Sequence, residues 1–60
     1  MITADWKGTF ELGGIRSTVK MSFTDETLSE VREAIAEYVQ TREDKGYQLI
    51  FNEVTKITTK

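Results

Sequence analysis

Residues 2–12 alternate without a break between two kinds of side chain. Ile2, Ala4, Trp6, Gly8, Phe10 and Leu12 form one set, and Thr3, Asp5, Lys7, Thr9 and Glu11 the other. After Gly13-Gly14 the pattern resumes, with Ile15, Ser17, Val19, Met21 and Phe23 against Arg16, Thr18, Lys20 and Ser22. A period of two residues is that of a strand with one face buried and one in water. Paired glycines between two such runs supply the positive φ of a tight hairpin turn at no steric cost. The first third of the chain is therefore constrained to one antiparallel hairpin, with strands over 1–12 and 15–23.

If the two glycines are the whole loop, both faces agree on the register. Leu12 faces Ile15, Trp6 faces Met21 and Ala4 faces Phe23 on the apolar side, while Glu11 faces Arg16 and Thr9 faces Thr18 on the polar side. Lys7 opposite Lys20 is the one unfavourable pair. Gly8, in mid-strand between Trp6 and Phe10, predicts a bend or the close approach of another element.

From Thr24 onward the period changes. Leu28, Val31, Ile35, Tyr38 and Val39 fall on one stripe at 100° per residue, which predicts a helix over 25–45 lying on the hairpin's apolar face. Thr27-Leu28-Ser29-Glu30 matches a capping box, with Thr24 an alternative cap, and Arg42, Lys45 and Gly46 suit the C-terminus. A third strand is expected over 47–59, with Tyr47, Leu49 and Phe51 on one face. The loss of parity beyond Asn52 predicts a β-bulge near residues 52–53 or a separate short strand from Val54. The order β-β-α-β, joined by a right-handed crossover, gives an α+β fold: an antiparallel three-stranded sheet in order 2-1-3 with one helix on one face. At 60 residues this is expected to be one small domain.

Composition narrows the chemistry. Histidine and cysteine are both absent, so zinc sites, Cys nucleophiles and Ser-His-Asp triads are excluded. Carboxylates, lysines and tyrosines remain, but one helix on three strands leaves little room for a pocket that would perturb them. The expectation is a chain that is not an enzyme, with no cofactor and no metal. Gly13-Gly14 lacks the further glycines and lysine of a phosphate-binding loop. No apolar run exceeds three residues, which argues against a membrane span or an export signal and for a cytoplasmic protein.

Two charged surfaces stand out. Lys7, Arg16, Lys20 and Lys56 share the open sheet face with threonines and Ser22, but the chain carries 8 Lys+Arg against 10 Asp+Glu. The expected aromatics all point to the other face, so single-strand stacking has no platform and nucleic acid is disfavoured. Opposite the helix's apolar stripe, Glu26, Glu30, Glu33 and Glu37 fall within about 60° of one another at 100° per residue. None has a cation three or four positions on to relieve it. Such a ridge suits docking on a basic partner, or else a solvated face.

A first strand of about 36 Å, at 3.3 Å per residue, outruns a helix of about 26 Å at 1.5 Å per residue. Apolar residues at the ends of the sheet should therefore lie uncovered. Ile2, Ala4, Leu12 and Ile15, with Val54 and Ile57 on the last strand, are the candidates for closure by a second copy. The function read from the sequence is a non-catalytic, homodimeric protein-interaction module. It suits a small inhibitor from a phage or mobile element, acting in a host cytoplasm. The alternatives are a nucleic-acid-associated module using the basic sheet face and a purely structural, self-assembling subunit.

Overall fold

The computed structural model describes residues 1–60. Strand β1 (Ile2–Leu12) pairs antiparallel with β2 (Ile15–Asp25) on one side and with β3 (Gln48–Thr59) on the other, giving the order β2-β1-β3. Helix α1 (Leu28–Asp44) covers one face. The chain is thus an α+β fold with an antiparallel three-stranded sheet. The hairpin register follows from the alternation residue by residue, from Leu12 opposite Ile15 to Ile2 opposite Asp25. Gly13 and Gly14 make the turn with φ of 58° and 81°.

The caps explain where the helix starts and stops. Thr27 is the N-cap: its Oγ1 accepts the Glu30 N–H at 3.2 Å and donates to the Glu30 carboxylate at 2.9 Å. The helix therefore begins at Leu28 and not at residue 25, because β2 continues to Asp25 opposite Ile2. At the other end, Gly46 takes φ of 97°, its N–H donates to the Glu43 carbonyl, and the Tyr47 N–H donates to the Arg42 carbonyl. This is a Schellman closure, made affordable by a residue without a Cβ.

Strand β3 departs from the expected pattern. In place of one bulge near residues 52–53 there are two, on either side of that position. Asp5 faces Lys56 while Trp6 faces Val54, leaving Thr55 over; Thr9 faces Phe51 while Phe10 faces Leu49, leaving Ile50 over. Each extra residue reverses the alternation. Ile57 and Leu49 are on the helix side by odd parity, whereas between the bulges Val54 and Asn52 take that side. Phe51 is consequently turned onto the open face, opposite Thr9. The expectation that Tyr47, Leu49 and Phe51 share a face fails at Phe51 for this reason.

The core is small and aromatic. Ala4, Trp6, Phe10 and Val31 are the fully buried apolar residues. Trp6 meets Phe10, Phe23 and Tyr38 at centroid distances of 6.3, 6.0 and 5.8 Å, and Phe10 meets Tyr38 and Tyr47 at 6.3 and 6.2 Å. Most of these contacts are edge-to-face, the arrangement that ring quadrupoles prefer. The molecule extends 40 × 19 × 11 Å, and its radius of gyration of 12.1 Å exceeds the roughly 10 Å of a typical folded chain of this length. A flat, elongated shape with so thin a core leaves apolar surface in water.

Candidate functional site

Three surfaces qualify: the open sheet face, the outer face of α1, and β3 with its free edge. The open face is built in ranks of three across β2, β1 and β3: Thr24-Thr3-Thr58, Ser22-Asp5-Lys56, Lys20-Lys7-Glu53, Thr18-Thr9-Phe51 and Arg16-Glu11-Gln48. In every rank two side chains satisfy each other. Thr3 and Thr24 share a hydrogen bond of 2.9 Å, Thr9 and Thr18 one of 3.1 Å, and Ser22 donates to Asp5 at 2.7 Å. Lys7 Nζ lies 3.4 Å from Glu53, and Arg16 Nε donates to Glu11 at 3.2 Å. Lys7 thus leans toward β3, which relieves its apposition to Lys20.

Of the four cations read as a basic face, Lys7 and Arg16 are held in ion pairs, and Lys20 and Lys56 are not. A shallow depression of about 450 Å³ lies beside Lys20, lined also by Asp5, Lys7, Ser22 and Thr55. Phe51 adds the exposed aromatic ring that this face was expected to lack. Parity with Tyr47 and Leu49 assigns Phe51 to the helix side, and only the extra residue at Ile50 turns it onto the open face.

The acidic ridge is shorter than its spacing implied. Glu26 precedes the N-cap and its backbone N–H is held by the Asp25 carboxylate at 2.8 Å, so helical angles do not apply to it. The Glu30 carboxylate is engaged by the Thr27 hydroxyl. Glu33 and Glu37 remain, exposed and without ion-pair partners, on the side of α1 away from the sheet.

The third surface is set by topology. α1 leaves β2 at the Asp25 end and returns to β3 at the Gln48 end, so it crosses β1 diagonally. Two opposite corners of the sheet are left bare. One is the hairpin tip, where Leu12 and Ile15 are 43% and 74% exposed. The other is the far half of β3, where Val54 and Ile57, both on the helix side, are 45% and 52% exposed. Ile50 and Phe51 are also exposed, at 40% and 50%. Ile2 is half-buried, and Ala4, expected among the overhanging residues, is fully covered.

Arg42, read in the sequence only as a charge suited to a helix C-terminus, has a structural part in the aromatic cluster. Its guanidinium lies over the rings of Phe10, Tyr38 and Tyr47, at 5.7, 5.5 and 5.0 Å, and its Nε donates to the Tyr38 hydroxyl at 3.0 Å. No helix is long and apolar enough to cross a membrane. Comparison with protein-family models, with curated proteins and with solved structures finds no match.

Proposed function

We propose that the chain is a non-catalytic protein-interaction module that works as a homodimer and presents the outer face of α1, with Glu33 and Glu37, to a basic partner. A small inhibitor acting in the cytoplasm, of the kind encoded by a phage or mobile element, fits this description. The observation that carries the reading is the state of β3. A strand at the edge of a sheet, with large apolar side chains half in water, is a surface that soluble proteins cover or blunt.

Magnitudes set the scale of the association. Fully burying a Val or Ile side chain contributes about 1.5–3 kcal/mol, so completing the burial of half-exposed Val54 and Ile57 on two copies adds roughly 4 kcal/mol. That only offsets the low end of the association cost, about 4 kcal/mol upward. A useful dimer needs a further contribution, such as backbone hydrogen bonds.

Light scattering coupled to size-exclusion chromatography tests the dimer. At about 100 μM, well above the micromolar dissociation constants that −8 kcal/mol represents, the mass should be near twice 6.9 kDa. Ile57→Asp should return it to the single-chain value. A wild-type chain that stays folded at the single-chain mass would overturn the reading.

A second reading, a nucleic-acid-associated module on the open face, is favoured by one observation: Phe51 is exposed in the rank next to Lys20, Lys7 and Glu53. It ranks lower because the ion pairs to Glu53 and Glu11 already neutralise two of the four cations.

A further inference from the structure

We propose that β3 pairs with β3 of a second copy, antiparallel about a two-fold axis between Thr55 and Lys56, to form one continuous sheet in the order β2-β1-β3-β3-β1-β2. This rests on the homodimer reading and specifies its interface. On its outer side β3 has no strand partner, since its ladder runs only to β1. Its exposed side chains lie on both faces of the sheet: Val54 and Ile57 on the helix side, Phe51 on the other. Half-exposed apolar side chains beside an unpaired hydrogen-bonding edge are what soluble proteins cover or blunt, and an added strand shields part of those on both faces.

The bulge at Thr55 makes the strand complementary to itself. It places residues three apart on the same face: Val54 with Ile57 on the helix side, and Glu53 with Lys56 on the open side. With the axis between Thr55 and Lys56, each Val54 lies directly opposite Ile57 of the other copy, giving two identical apolar pairs flanking the axis. On the other face each Glu53 is diagonal to Lys56 of the other copy, within reach of a long side chain and of opposite charge. An axis through Val54 itself would oppose Phe51 to Ile57, which point to different faces. The self-complementarity is the isologous pattern that a two-fold interface demands.

The outer edge of β2 offers no such match. Its helix-side residues Val19, Met21 and Phe23 are already partly covered, leaving Ile15 alone at the tip. An unrelated partner strand would have to reproduce both the apolar spacing and the charge spacing, which a second copy supplies automatically.

The natural chain has no cysteine, so site-directed disulfides test the register directly. Val54→Cys and Ile57→Cys replace half-exposed residues and should fold. Mixed in equal amounts and mildly oxidised, the two variants should form a linked dimer at least tenfold faster than either variant alone. In the wild-type chain, amide exchange along the outer edge of β3 should slow as concentration rises. A dimeric mass without preferential linking of the mixture would overturn this pairing and leave the homodimer standing. Linking of Val54→Cys to itself would overturn the register. A single-chain mass, with β3 exchange independent of concentration, would overturn both and show that Lys56 and the bulges keep the edge unpaired.

Discussion

The benzene ring of the Trp6 indole occupies the space where a Cβ on Gly8 would stand: an added carbon there would lie 2.6 Å from Cζ2 and 2.9 Å from Cζ3. Both residues face α1 on the same strand, so the glycine exists to let the largest side chain of the core lie along its own backbone. The indole Nε1 is thereby carried to Asn52, on the neighbouring strand, whose Oδ1 accepts from it at 3.4 Å. The close approach expected at Gly8 is thus made by Trp6 itself.

Gly8→Ala should consequently be among the most damaging small substitutions in the chain. The added methyl meets a rigid ring packed on Phe10, Phe23 and Tyr38, so overpacking should cost about 2 kcal/mol and lower the melting temperature by about 10 °C for a domain of this size. In a Trp6→Phe background the ring is smaller and the same substitution should cost at least 1 kcal/mol less, by roughly the coupling expected of residues in contact. Thermal melts of the four proteins decide this; additive losses would show that the ring and Gly8 do not compete for space.

Residues with a regular period were readable from sequence, and residues out of period were not. The hairpin register and the stripe from Leu28 to Val39 follow from spacing alone, because each uses one rule over many residues; spacing narrows the cap to Thr24 or Thr27, and the continuation of β2 to Asp25 decides for Thr27. The bulge at Thr55 shows in the sequence as Val54 and Ile57 three apart, a loss of parity that does not say which residue is the extra one; the bulge at Ile50 leaves no trace, because a β-branched residue among other strand formers looks like any strand position. From those two insertions came the misplaced face of Phe51 and the unforeseen position of Asn52 against Trp6. Arg42 was legible as a cation near a helix end, but its ring contacts depend on Tyr47, brought back by the Gly46 turn. Of the candidate surface, Val54 and Ile57 were legible and Phe51 was not.

Arg42→Lys keeps the charge and should still weaken the fold. A lysine cannot lie flat over three rings or donate from an Nε to the Tyr38 hydroxyl, so the loss should be about 1 kcal/mol, within the range of cation–π contacts near a surface. Arg32→Lys, on an exposed part of the same helix, serves as the control and should change stability by less than about 0.5 kcal/mol. Equal effects of the two substitutions in urea titrations would assign Arg42 to the solvated surface.

Single-stranded oligonucleotides should bind the open face weakly. With Lys7 and Arg16 held by Glu53 and Glu11, the free cations are Lys20 and Lys56, so affinity near physiological salt should be no tighter than about 10 μM, within the non-specific range. Fluorescence anisotropy across a salt series measures it. Submicromolar binding that falls steeply with salt, and that is lost in Phe51→Ala and Lys20→Ala, would move the nucleic-acid reading ahead of the protein-interaction one.

Reversal of Glu33 and Glu37 to lysine should separate folding from docking. Both side chains are exposed and make no ion pair, so the helix loses no partner. Placing a lysine three residues after Glu30 changes helix stability by only a few tenths of a kcal/mol. The melting temperature should stay within a few degrees of wild type. Binding to a basic partner captured from the source cell should weaken mainly through the association rate, with a flatter dependence on salt, because charges at the rim of a contact steer encounter more than they hold the complex. Glu26→Lys, outside the helix and beside Asp25, should have the smaller effect on that rate. If both association rate and salt dependence match wild type, the outer face of α1 is a solvated surface, and the contact with the partner must lie on β3 or at the hairpin tip around Leu12 and Ile15.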